Sequence, residues 1–313
     1  MVKATVEALD IDPKTGTTLG FYTFGEERPN ILIVSAMDGW SATDVYANYL
    51  ILKHLRDLDR IDGSVTVLPV ANPLAFRLGA KVSPLDSKDI NAVFPGNEHG
   101  SVTERTAWEI WRRAVQADNV IHLRTGEQSC VSHVVALHRD YIHVRNLASQ
   151  IALPLVVQSS GRRGAFTTEV AHEGVAAVTI EMRGVRNGVD PQAAVEVREA
   201  VLNFMRIKGM IPGEEIEAAG TLTGITRQVN VDTEGFFVSS VRPGEEVRSG
   251  DVLGRVQDKG DVVSPYDGTV VSMSQMVYVF EGDMIARIAA PLVERTHRTN
   301  DDSDSFEPPR RKW

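Results

Sequence analysis

The run of apolar residues from Ile31 to Met37 constrains the fold of this chain more than any other feature. It has the length of a buried β-strand, and the glycine-bearing stretch Asp38-Gly39-Trp40-Ser41 follows it directly. Residues 42–58 then carry apolar side chains at the spacing of an amphipathic helix. This order indicates an open α/β sheet, in which ligands bind beyond the carboxyl ends of the strands. We therefore expect residues 38–41 to lie in a functional site.

Strand-like and helical runs alternate up to about residue 210 and predict a largely parallel or mixed sheet with helices on both faces. Residues 71–100 show neither pattern. Because loops of this length are uncommon in compact domains unless they have a function, we expect this segment to form a wall of a cleft. Residues 1–210 are thus predicted to form one α/β domain.

The composition changes after residue 210, and residues 211–290 contain short strand-like runs separated by turn signals, which predicts a small all-β domain. The stretches 241–254 and 263–271 resemble a biotinyl/lipoyl-type barrel. Where such a barrel presents its modified lysine, this chain has Met273-Ser-Gln-Met276 and no lysine. We expect the domain to lie beside the mouth of the cleft without a covalent group. The polar tail, residues 291–313, is expected to be flexible.

The composition narrows the classes of function. The chain has 313 residues, of which 42% are hydrophobic, and this is enough to form the cores of one large and one small domain. Its formal net charge is −9, and no cluster of basic residues occurs before the last few residues. Nucleic acid is therefore not an expected partner. The chain has no apolar run of membrane-spanning length and does not start like a signal peptide, so we expect a cytoplasmic protein without a membrane partner. Cys130 is the single cysteine and cannot form an internal disulfide, which agrees with a reducing compartment. The sequence does not decide whether the protein forms a homo-oligomer.

Several motifs occur in a characteristic order and resemble those of the succinylglutamate desuccinylase/aspartoacylase family, zinc-dependent deacylases related to the M14 carboxypeptidases. The resemblance covers roughly residues 25–290. It implies a zinc-carboxypeptidase-like mixed sheet flanked by helices. The stretches that carry it are Asp38 to Ser41, Asn72-Pro73, Asp89 to Gly96 (D-I-N-A-V-F-P-G), Glu104-Arg105, His122-Leu-Arg124 and Thr179-Ile-Glu181.

The zinc ligands that the resemblance implies are largely replaced in this chain. The family binds zinc with the His and Glu of an H-G-x-E turn and the His of a D-L-H strand end, which correspond here to Asp38, Ser41 and Arg124. A guanidinium group has no lone pair to offer a metal, and serine is a poor zinc ligand. The sequence therefore predicts no cofactor, with zinc only if the site is rebuilt, for example from Asp38, Asp44, His122 and Glu181.

Other site residues follow from the same resemblance. Glu181 corresponds to the family's general base, and with His122 and Asp38 it could perform acid–base catalysis without a metal. The arginine with which the family binds a substrate carboxylate is replaced by Ala92. The remaining candidates for ligand binding are Asn91, Arg105, Arg124, Arg162 and Arg163. We also expect Arg124 to form an ion pair with Asp38 across the former zinc position.

Three functions are compatible with these substitutions. The protein could be a non-hydrolytic relative that binds a small polar ligand, such as an N-acyl amino acid, or a protein partner in the deacylase cleft. It could be a metal-independent acid–base enzyme in the same cleft. Alternatively, it could be an active hydrolase of amide or ester bonds with a rebuilt metal site. The replaced ligand positions argue against the third.

Overall fold

The computed structural model describes residues 2–40, 42–184 and 188–292. Ser41, one of the three expected zinc-ligand positions, lies outside the described residues, as does the tail from residue 293 onward. The described residues form six α-helices and one short 3₁₀-helix, Ile90–Ala92; the α-helices are α1 Thr43–Asp57, α2 Pro73–Leu78, α3 Val102–Ala114, α4 Ile142–Ala148, α5 Phe166–His172 and α6 Pro191–Ile207. None of them is long and apolar enough to cross a membrane.

The described strands fall into an amino-terminal and a carboxy-terminal group. The first group is β1 Thr5–Asp12, β2 Thr17–Gly25, β3 Asn30–Val34, β4 Ser64–Leu68, β5 Asn119–Thr125, β6 Ser129–Cys130, β7 His133–Ala136, β8 Leu155–Gln158 and β9 Ala176–Met182. The second is β10 Thr221–Asn230, β11 Gly235–Ser239, β12 Glu246–Val247, β13 Val252–Val256, β14 Gly260–Val263, β15 Gly268–Met273, β16 Met276–Val279 and β17 Met284–Pro291.

The central sheet confirms the predicted mixed α/β fold with helices on both faces. Its strand order begins β1-β2-β4-β3-β5-β9-β7-β8, and β3, β5 and β9 are parallel neighbours. Because side chains alternate along a strand, Ile31 and Ile33 of β3 pack into a core with α1, α4 and α6, whereas Leu32 and Val34 pack against α3 and α5. The apolar run that begins at Ile31 thus starts as a strand that is buried on both faces.

The segment 71–100 contains a helix that the sequence pattern did not predict. Helix α2 begins after Asn72, whose side chain accepts a hydrogen bond from the Ala75 N–H, and it has Pro73 in its first turn. It ends at Gly79, which has a left-handed φ of 61°. The capping signals are present in the sequence, but six residues are too few to show a helical period.

The carboxy-terminal strands continue the central sheet, which the sequence did not indicate. β10 pairs in parallel with β8, and β17, β15 and β12 follow in the same sheet. Strands β14, β13, β11 and β16 form a second, four-stranded sheet. No helix occurs among residues 211–292, as predicted, and these residues have a hydrophobic core of their own. The division into two folding units stays a prediction.

Gly39, in the turn after β3, offers a test of how tightly this turn is packed. A Cβ atom at this position would clash with the backbone of Ala75 and Ala80 on either side of the end of α2. We expect Gly39→Ala to lower the free energy of unfolding by about 1–3 kcal/mol, as overpacking does. Urea denaturation measures the effect. Gly20→Ala is the matched control, because its Cβ would lie 3.7 Å from the nearest atom, on Tyr22; equal stability of the two variants would contradict the packing.

Candidate functional site

Three strands of the central sheet bring the predicted site residues to one edge. Asp38 lies four residues beyond the end of β3, Arg124 is the penultimate residue of β5, and Glu181 is the penultimate residue of β9. Arg124 and Glu181 are register partners across the parallel β5–β9 pair. Because the carboxyl ends of parallel strands meet at one edge, residues that are far apart in sequence converge here.

The predicted ion pair between Asp38 and Arg124 is present. Arg124 Nε donates to Asp38 Oδ2 at 2.9 Å, and Arg124 Nη1 lies 3.4 Å from Glu181 Oε2. Both carboxylates are buried, and the Arg124 side chain is only 26% exposed. One guanidinium group therefore bridges two buried acids.

A second arginine, which the sequence analysis missed, completes this cluster. Arg287 on β17 donates through Nη2 to Glu181 Oε1, and its Nε donates to Ser272 Oγ at 2.9 Å. Glu181 thus has an arginine at each carboxylate oxygen. The sequence does contain a sign of this role: Arg287 is the one charged residue in the otherwise apolar strand Met284–Pro291, and a charged residue in such a strand usually has a partner.

Burial and the arginine charges oppose each other at both acids, and the balance shifts the two pKa values in opposite directions. Burial alone would raise the pKa of Glu181, but the charges of Arg287 and Arg124 outweigh it and hold the pKa at about 2. Burial raises the pKa of Asp38, and the charge of Arg124 opposes this shift. Glu181 is therefore ionised and firmly paired at neutral pH.

Asp44, at the start of α1, supports the turn that carries Asp38. Its carboxylate accepts hydrogen bonds from the N–H groups of Ala36, at 3.1 Å, and Val45, at 2.9 Å. Ala36 has a φ of 51°, which is rare for a residue other than glycine, so this bond holds a strained backbone. Burial raises the pKa of Asp44 to about 7. Asp44 therefore stabilises the backbone of this turn and is not part of the lining of the cleft.

His122 lies beneath the edge of the sheet. It is 2% exposed, its Nδ1 is 3.4 Å from Thr179 Oγ1, and its ring meets Phe166 edge-on. Burial and the charge of Arg124 lower its pKa to about 3. Within residues 2–40, 42–184 and 188–292, no three His, Cys, Asp or Glu side chains are grouped so that they could hold a metal ion. Within these residues Asp38, Asp44, His122 and Glu181, the suggested rebuilt set, do not form such a group.

The ion-pair cluster opens onto a cleft of about 480 Å³. Asn91 and Arg162 line it from the amino-terminal part of the chain, and β10 and β17 contribute Gln228 and Arg287. The carboxy-terminal strands thus lie beside the cleft, as predicted. Arg162 Nη2 donates to the Asn91 carbonyl at 2.8 Å, and no carboxylate pairs with Arg162 among the described residues.

Two of the arginines predicted to bind a ligand are occupied elsewhere. Arg105 Nη1 donates to the Gly100 carbonyl at 3.0 Å. Arg163 pairs with Glu169 at 3.0 Å and is 76% exposed. Neither lines the cleft. Asn91, Arg124 and Arg162 do. The binding role of all five residues stays a prediction.

Comparison with known proteins decides the family. The family model of the succinylglutamate desuccinylase/aspartoacylase catalytic domain matches residues 27–208. The chain belongs to this family. It is 26% identical, over 284 residues, to the N-alpha-acetyl-L-2,4-diaminobutyric acid deacetylase of Halomonas elongata. The alignment covers 84% of this chain and 82% of that protein.

Two solved structures have the same fold as this chain. An aspartoacylase family protein from Mesorhizobium loti superposes with a TM-score of 0.77 at 21% identity. The superposition covers 94% of this chain and 96% of the Mesorhizobium loti chain. The product-bound ectoine utilization protein EutE (DoeB) of Ruegeria pomeroyi has a TM-score of 0.78 at 20% identity, covering 92% and 95%. These similarities extend beyond the catalytic domain into the carboxy-terminal strands.

Removal of the bridging cation tests the cluster. Arg124→Gln leaves Asp38 and Glu181 buried with less compensating charge, so we expect a loss on the order of 3 kcal/mol of unfolding free energy. Both acids then have a higher folded-state pKa than in the unaltered chain, so the stability that the variant lacks grows as the pH rises through these pKa values. The deficit should therefore be larger at pH 8 than at pH 4.

Urea denaturation at both pH values measures this deficit, and Arg112→Gln is the control. Arg112 is 47% exposed and pairs with Glu109 on the surface of α3, so its loss should cost less than about 0.5 kcal/mol. A deficit of Arg124→Gln that matches the control, or that shrinks at pH 8, would show that the bridge does not neutralise the buried acids.

Proposed function

We propose that this protein is a zinc-free member of its family, a pseudoenzyme that binds a small N-acyl amino acid-like ligand in the cleft without the zinc-dependent deacylation. The observation that carries the proposal is the position of the Arg124 guanidinium, which bonds to Asp38 and lies within 3.4 Å of Glu181. In the family's pattern this position belongs to a zinc-binding histidine. Here a cation of the protein occupies it.

The donor set supports the proposal because it does not fit a zinc ion. Arg124 has no lone pair to donate, and its fixed charge would repel a divalent cation. Asp38 and Glu181 are already neutralised by two guanidinium groups, which together carry the same charge as Zn²⁺. A metal would have to displace Arg124 and leave that arginine without its acids.

The same charges argue against metal-independent acid–base catalysis. A general base works best when its pKa is near the working pH, and the pKa of Glu181 is held at about 2 by Arg287 and Arg124 against the opposing effect of burial. His122 is buried away from the cleft with a pKa of about 3. Ligand binding without turnover therefore suits the cluster better than proton transfer.

The class of ligand follows from what the cleft leaves unpaired. Arg162 has no acid partner among the described residues, so it is available to a ligand carboxylate. Thr167, Thr226 and Gln228 offer hydroxyl and amide groups to the remainder of the ligand. The relative from Halomonas elongata is a deacetylase of N-acetyl diaminobutyric acid, a molecule with an amide and a carboxylate. A ligand of this class matches the available groups.

Metal content and turnover test the loss of zinc chemistry. We expect protein purified from zinc-supplemented medium to hold far less than one zinc per chain by mass spectrometry, because Arg124 places a guanidinium group at one of the three ligand positions. It should not hydrolyse N-acetyldiaminobutyrate, N-acetylaspartate or N-succinylglutamate, whether zinc or a chelator is added. The matched comparison is the triple variant Asp38→His, Ser41→Glu and Arg124→His, which restores the family's ligands and should bind zinc. Zinc-dependent turnover by the unaltered chain would refute the proposal.

Neighbouring arginines test ligand binding separately. Arg162 lines the cleft, whereas Arg163 pairs with Glu169 outside it. By calorimetry with N-acetyldiaminobutyrate, Arg162→Gln should weaken binding by about tenfold or more, since a charge-assisted hydrogen bond contributes roughly 1.5–3 kcal/mol. Arg163→Gln should leave the affinity unchanged. Equal effects of the two substitutions would place the ligand elsewhere.

A further inference from the structure

A second cavity, of about 720 Å³, adjoins the cleft. Residues 158–160 and Ile225 line both spaces and form a wall that they share. The four charged residues of the ion-pair cluster line the cleft but not this cavity. The cavity is therefore a neighbour of the cleft with a chemistry of its own.

The topology of the central sheet explains why a cavity forms here. Strand β7 runs parallel to β8 but antiparallel to β9. The carboxyl ends of β7 and β8 therefore lie at the edge opposite to the one that carries Arg124 and Glu181. Residues 137–141 follow β7, and residues 159–161 follow β8. Because ligands of open α/β sheets bind beyond the carboxyl ends of strands, this edge is a second place for a binding site.

Gln158, the last residue of β8, holds the two loops of the cavity together. It is 8% exposed, and its Oε1 accepts a hydrogen bond from the Arg139 backbone N–H at 3.0 Å. Its Nε2 donates to Asp140 Oδ2 at 2.9 Å and to the Ser159 carbonyl at 3.0 Å. A buried amide whose oxygen and nitrogen are both bonded fixes the shape of this wall. The side chains of Arg139 and Asp140 thus extend from a turn that is held in place.

Arg139 and Asp140 both line the cavity and carry opposite charges. Within the part of the chain that the structure describes, the Arg139 guanidinium makes neither a hydrogen bond nor an ion pair. One carboxylate oxygen of Asp140 accepts the hydrogen bond from Gln158, and the other has no partner among the described residues. His172 also lines the cavity, but its Nδ1 lies 3.2 Å from Arg163 Nη1 and is already occupied. The cavity thus offers one free cation and one carboxylate oxygen to a ligand.

We propose that this cavity binds the α-carboxylate of an amino acid at Arg139 and its α-ammonium group at Asp140. A guanidinium group binds a carboxylate through two parallel hydrogen bonds, and an ammonium group donates hydrogen bonds to a carboxylate. Leu137 and Ile225 supply apolar surface to the methylene groups of the ligand, and Ile225 is 50% exposed. A ligand with both charges on one carbon matches the pair better than a simple anion or cation, which leaves one charge of the pair unused.

A series of matched small molecules tests the recognition of both charges on the unaltered chain. By calorimetry, L-glutamine should bind. Glutaramate lacks the ammonium group and 4-aminobutanamide lacks the carboxylate, so each should bind at least about tenfold more weakly, because each loses a charge-assisted hydrogen bond. Equal affinities for the three molecules, or no binding of L-glutamine at millimolar concentration, would overturn the proposal.

Two substitutions locate the binding site. Arg139→Gln and Asp140→Asn should each weaken the binding of L-glutamine by about tenfold. Both side chains are exposed, so the circular dichroism spectrum should stay unchanged. Arg145→Gln is the matched control, because Arg145 is an exposed arginine of α4 that does not line the cavity. An affinity of Arg139→Gln equal to that of Arg145→Gln would place the amino acid elsewhere and overturn the proposal.

A dipeptide distinguishes two sources of the amino acid group, which is either a free amino acid or the far end of a ligand in the cleft. The second source rests on the proposed function, whereas the first does not. γ-L-Glutamyl-L-alanine carries the same charged end as L-glutamine and a further carboxylate on its amide side. Binding at least about tenfold tighter than that of L-glutamine supports a ligand that spans the shared wall, because its second carboxylate then reaches Arg162. Equal or weaker binding supports a site for the free amino acid. Failure of N-acetyldiaminobutyrate to bind would refute the proposed ligand of the cleft and leave the L-glutamine result intact.

Discussion

The mutual neutralisation of four charges at one edge of the central sheet is the interaction on which this site depends. Asp38 and Glu181 are buried carboxylates, and Arg124 and Arg287 supply two positive charges to them. A buried charge without a partner is strongly destabilising, whereas a fully paired set is tolerated. No member of the set can therefore be lost or redirected alone. A metal ion would disrupt the balance by adding two further charges.

This dependence also ties the two parts of the chain together. Arg287 comes from the carboxy-terminal strands, so the compensation of Glu181 is complete only when those strands are in place. Gln128, in the loop after β5, strengthens the connection with hydrogen bonds to Ser274 Oγ and the Met284 carbonyl, both at 3.0 Å. The carboxy-terminal residues are thus part of the site, and the continuous sheet through β8 and β10 explains how they are held there.

The sequence predicted the fold class and the central ion pair because both depend on local patterns or on ordered motifs. The strand from Asn30 to Val34, helix α1 and the pairing of Asp38 with Arg124 follow from apolar periodicity and from motif positions. It could not place Arg287, because contact with Glu181 across 106 residues depends on how the carboxy-terminal strands join the sheet. It also could not separate Arg162 from Arg163, since the direction of a loop side chain depends on its tertiary neighbours.

Anomalous diffraction at the zinc absorption edge, from crystals soaked in millimolar zinc, tests the central claim most directly. The charge balance predicts that the Arg124 guanidinium stays bonded to Asp38 and beside Glu181, with no anomalous peak within coordination distance of either carboxylate. A zinc peak between Asp38 and Glu181, with Arg124 displaced from both, would contradict the account.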